Sequence, residues 1–87
     1  MKQLDSSKEI KQIIIKCGNG YGASILKGEH TITNENYPYE LAVIEFKSNS
    51  KFKVIYPSFT NGDILYKLNR YQVHRYIDMI KRLKKKN

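Results

Sequence analysis

Apolar residues in this chain come in short runs whose spacing fits strands as far as residue 57 and a helix after residue 69. Ile13, Ile14 and Ile15 are β-branched, which favours a strand over a helix. Residues 21–27 read as the return strand, after Asn19-Gly20, a dipeptide suited to a two-residue type I′ turn. That turn predicts the register Gly18 with Tyr21, Cys17 with Gly22, Ile15 with Ser24 and Ile13 with Leu26. Gly22 would then leave room for a large neighbour or a bulge.

The segment 28–38, GEHTITNENYP, is polar and reads as an exposed loop that leaves through Tyr37-Pro38 in an extended conformation. Tyr39–Phe46, YELAVIEF, has a centre that is apolar on both faces, which predicts a strand in the middle of a sheet. Residues 47–50 make a hairpin loop. Residues 51–56 then alternate, with Phe52, Val54 and Tyr56 on one face and Lys51 and Lys53 on the other, as in a half-exposed strand ended by Pro57. Residues 63–68 fit a short helix or a short strand. Asn69 and Gln72 have capping-box spacing. Beyond them Val73, Ile77, Ile80 and Leu83 form one helical stripe, predicting a helix over 70–84.

Together these elements predict an α+β fold: a four-stranded, mainly antiparallel sheet with one C-terminal amphipathic helix packed on one face. Eighty-seven residues suffice for a single domain over 1–87. Within it, residues 1–11 form a loose lead-in, 12–57 the sheet, 63–84 the helical part and 85–87 a basic tail.

The glycine cluster CGNGYGAS raises the question of a phosphate cradle. A dinucleotide fingerprint needs glycine at its first, third and sixth positions, followed by a helix. Here the sixth position is Ala23, and the residues after it are strand-like, so a hairpin corner is the better reading. Glu40 and Glu45 fall on opposite faces of one strand. Cys17 and Ser24 lack an elbow motif, and His30 and His74 stand apart in sequence. These absences predict no catalytic residues, no metal site and no cofactor, hence not an enzyme. One cysteine excludes an internal disulfide and paired-cysteine zinc sites, and it fits a reducing cytoplasm. No apolar run approaches the ~20 residues that span a membrane, so a soluble protein is expected.

The net charge of +8 is unevenly placed. Residues 1–66 carry eight Lys/Arg against seven Asp/Glu; residues 67–87 carry eight against Asp78 alone. Lys81, Arg82, Lys84, Lys85 and Lys86 crowd one helix end, where cations also favour the helix dipole. The run is either a solvated face or a patch for an acidic partner or phosphate backbone, with Arg70, Tyr71 and Arg75 beside it and Tyr66 nearby to add stacking. Of seven tyrosines, Tyr39, Tyr56 and Tyr76 are expected at the core boundary, and Tyr21 and Tyr37 exposed and open to a partner.

The run NGYGASIL, followed after a polar loop by YELAVIEF, resembles small proteins encoded in bacteriophage genomes of low-GC Gram-positive hosts. Those proteins share the Asn-Gly-Tyr-Gly hairpin, an aromatic–Glu–Leu–Ala–Val strand and an Asp-Xaa-Ile/Leu segment before a C-terminal helix, matched here by Asp63-Ile64-Leu65. The resemblance covers most of residues 12–83. This chain departs from it in lacking a Gly-rich loop between the first hairpin and the third strand, and in its basic helix end. It implies a phage accessory protein in the host bacterial cytoplasm, with no catalytic residues to carry over. The expected activity is to bind and modulate a host or phage protein, as an inhibitor of a defence factor or a replication factor would. The alternative is nucleic-acid binding through the basic helix. A homodimer through an exposed sheet edge is also expected to be open to such a chain.

Overall fold

The computed structural model describes residues 11–27 and 38–84. Five strands and one helix follow in order: β1 Lys11–Lys16, β2 Tyr21–Lys27, β3 Tyr39–Phe46, β4 Phe52–Ile55, β5 Leu65–Leu68 and α1 Arg70–Lys81. A one-turn 3-10 helix, Ser58–Thr60, lies between β4 and β5. The fold is α+β, an antiparallel sheet with a C-terminal helix, and β3 is its centre as its apolar run predicts. Along one side β3 pairs with β2; along the other it pairs with β4 near its end and β5 near its start. The segment left open between helix and strand is thus a strand for residues 65–68, bent where Lys67 takes a φ of 56°.

The first hairpin differs from its expected register by one residue. Cys17 N donates to Tyr21 O at 2.9 Å, closing a loop of residues 18–20, and the ladder runs Lys16–Gly22, Ile15–Ala23, Ile13–Ile25. A type I′ turn needs positive φ at Asn19, but among the described non-glycine residues only Asn61 and Lys67 have it. The slip is consequential because a one-residue shift exchanges strand faces. With it, Ile15 shares a face with Ala23 and Ile25, and with Leu41 and Val43 across β3.

That face carries the core. Val73, Ile77 and Ile80 of α1 are buried against Ala23, Ile25, Leu41, Val43 and Leu68, and each buried Val, Ile or Leu side chain stabilises by about 1.5–3 kcal/mol. The helix crosses β2, β3 and β5. Its start is the capping box read from the sequence: Asn69 Oδ1 accepts from Gln72 N and Gln72 Oε1 from Asn69 N, both at 2.8 Å. It ends earlier than predicted, at Lys81, and Leu83 turns back to pack on the core.

β4 also departs from its predicted orientation. Ile55 lies opposite Val43 and packs on the core, so Phe52 and Val54 project from the other face of the sheet. Tyr56 is exposed, not at the core boundary, whereas Tyr39 and Tyr76 are partly buried, Tyr76 stacking on Phe59 at 6.1 Å.

Candidate functional site

The hairpin loop and the end of the helix form one structure. Asn19 is only 8% exposed, and its side-chain amide nitrogen lies 2.8 Å from Ile80 O, 3.2 Å from Leu83 O and 3.4 Å from Lys81 O. Its Oδ1 accepts from Tyr21 N at 3.2 Å. The last carbonyls of a helix have no partner within the helix. Here a residue more than sixty positions earlier in the chain supplies one, and so joins the sheet to the helix C-terminus. The glycines around it serve this geometry: Gly18 and Gly20 have φ of 85° and 90°. Gly22 sits where a Cβ would meet Ile15 O of β1 and come within 2.8 Å of the Phe46 ring.

This clamp brings two expected site residues together. Tyr21 is half-buried rather than exposed, because it packs on the core beside the helix end. With Lys84, Leu83, Ile55, Tyr56 and Pro57 it lines an open groove of about 410 Å³. Cys17 sits half-buried in the same hairpin, where burial raises its thiol above the ordinary 9.0 and the Lys81 charge partly offsets this.

The remaining basic candidates lie on the helix surface facing solvent. Arg70, Tyr71, Arg75, Lys81 and Arg82 are all exposed, Tyr71 by 66%, with His74 and Asp78 among them. Arg75 holds Tyr71 on this face, its guanidinium 5.8 Å from the ring centroid and Nη1 donating to the phenol oxygen at 3.4 Å. Ion pairs join Glu45 to Lys47 and Lys53, and among the described residues no carboxylate is paired with these helix cations. Tyr37, Lys85 and Lys86 lie outside the described residues, as do His30 and residues 1–10 of the lead-in.

A third surface was not anticipated. On the sheet face away from α1, Ile44 is 0% exposed beside Val54, which like Phe52 is 40% exposed, while Ile14, 39% exposed, lies on the same face two strands away, opposite Ser24. Phe46 meets Phe52 edge to face at 5.8 Å, and the Lys16 amine lies 5.5 Å from the centroid of Phe46. Gln12 donates to Ser24 at 2.9 Å at the other end. Phe46, Phe52, Val54 and Ile44 form a small apolar group here, separated from Ile14 by Ser24. The alternation of Phe52 and Val54 was its sequence signal, but alternation marks a face without saying which layer covers it.

No group of three or more His, Cys, Asp or Glu among the described residues is placed to hold a metal ion. No helix among them is long and apolar enough to cross a membrane. Comparison with known protein families, curated proteins and solved structures finds no match to this chain.

Proposed function

We propose that this chain is a non-enzymatic binding protein that docks on another protein through the open face of its sheet and modulates it. The observation that supports this is the pair of exposed apolar side chains Phe52 and Val54, set beside Phe46 and the buried Ile44 on the face away from α1. Exposed apolar and aromatic side chains grouped on one face are costly to leave in water, and they suit protein contact, where aromatic residues supply much of the binding energy. The resemblance to phage accessory proteins gives the partner a class, a host or phage protein. Affinity capture from an extract of the cells that carry the gene tests the proposal, run beside a Phe52→Ser/Val54→Ser variant. The parent recovers a stoichiometric partner at mild salt and the variant loses it. Recovery of nothing by the parent, or equal recovery by both, overturns it.

A second reading, nucleic-acid binding, is favoured by the exposed cations of α1 and by Tyr71 held beside Arg75. It requires affinity for single-stranded DNA or RNA that falls steeply with salt and falls further in Arg75→Ala/Arg82→Ala. No binding at low salt refutes it.

A further inference from the structure

We propose that β1 is a self-association edge, through which two copies of the chain join their sheets antiparallel about a two-fold axis at Ile14. Among the described residues β1 pairs with β2 alone and forms one edge of the sheet. The direction of its backbone groups follows from the hairpin. Cys17 N bonds Tyr21 O, and bonded pairs alternate along an antiparallel ladder. Ile15 and Ile13 therefore bond to β2, and Gln12, Ile14 and Lys16 point their N–H and C=O groups outward.

Edges are commonly protected by charge, proline, bulges or brevity. The opposite side of the sheet has such protection: β4 is four residues long, is flanked and interrupted by Lys51 and Lys53, and is separated from β5 by the 3-10 turn. β1 has none inside it. Lys11 and Lys16 stand at its ends, the interior is Gln-Ile-Ile-Ile, and Ile13 is 52% exposed.

The fit of a second copy is specific. Centring the two-fold on Ile14 makes bonded pairs of Ile14 with its own copy and of Gln12 with Lys16, giving about six backbone hydrogen bonds. The same register sets Ile13 against Ile15 on the helix side, and no lysine faces a lysine. Such a contact closes on itself, as an isologous interface must. With a net charge of +8 on each copy, repulsion opposes pairing, so association strengthens as salt rises.

The test is the solution mass of the full chain by light scattering, across concentration and salt, with two variants. The parent is expected at twice the 10.2 kDa chain mass. Ile14→Pro deletes an outward N–H while leaving the bonds to β2, and is expected to be folded and monomeric. Ile14→Cys, in a Cys17→Ser background, places two sulfurs across the axis, where bonded pairs have Cα atoms about 5.5 Å apart, within disulfide reach. It is expected to oxidise to a covalent dimer, and Ile13→Cys in the same background is not. A parent that stays monomeric at high concentration and salt overturns the proposal. So does a dimer that survives Ile14→Pro but dissolves in Phe52→Ser/Val54→Ser, which would place the contact on the open face. If Ile14→Pro fails to fold, the cysteine pair decides: equal or absent crosslinking at positions 13 and 14 refutes the register.

Discussion

Replacing Asn19 by alanine removes the side chain whose hydrogen bonds join the first hairpin to the end of α1. Its amide reaches three carbonyls at 2.8–3.4 Å, and its oxygen accepts from Tyr21 N. Leu83 N still reaches Ile80 O at 3.1 Å, so that carbonyl keeps a partner. The groups left short are Tyr21 N and the carbonyls of Lys81 and Leu83. A net hydrogen bond contributes about 0.5–1.5 kcal/mol and an unpaired buried group costs about 1–3 kcal/mol, so the loss should be about 2–3 kcal/mol. A domain of this size has a total stability on the order of 5–10 kcal/mol, and the melting point should fall by about 10–20 °C.

Asn19→Asp sharpens the test, because it keeps the shape but turns an oxygen toward the carbonyls at the negative end of the helix dipole. Both effects favour the neutral acid in the folded state and raise its folded pKa above the unfolded value of about 3.9. A raised folded pKa contributes stability that is present at low pH and lost as pH rises through it. The aspartate variant should therefore be weaker than the alanine variant at pH 7 and gain on the parent below about pH 5. Urea denaturation at both pH values reads the difference. An alanine variant within about 0.5 kcal/mol of the parent would refute the clamp.

Three further substitutions probe the same framework. Gly22→Ala puts a methyl into Ile15 O and the Phe46 ring, and should cost at least the ~1–3 kcal/mol of an overpacked site by thermal unfolding. Lys67→Gly relieves a left-handed backbone at φ 56° and should raise stability by about 0.5–1 kcal/mol in urea denaturation; a decrease would refute the strain at this position. At pH 8 the Cys17 thiol, raised by burial, should alkylate more slowly in the native protein than in urea; equal rates would refute its protection.

Local chemistry was legible in the sequence wherever neighbouring residues decide the outcome. β2 and β3 have the bounds their apolar runs predict, and the Asn69–Gln72 box needs only residues three apart. The face of β4 was not legible, because whether Phe52 or Ile55 faces the core depends on where α1 lies. Of the site candidates, the exposed helix cations could be read from helical periodicity. The partial burial of Tyr21 and the apolar group beside Ile44 could not, since both depend on which elements stack.

The Asn-Gly pair marks the division. By itself the sequence determined that the chain reverses there, between two strands, with glycines to permit it. The tertiary structure decided the register and the purpose of Asn19, by bringing the carbonyls of Ile80, Lys81 and Leu83 to its side chain. A short-range turn preference is worth little beside several hydrogen bonds to the carbonyls at a helix end. That long-range contact set the ladder by one residue, and with it the side of the sheet that each isoleucine faces.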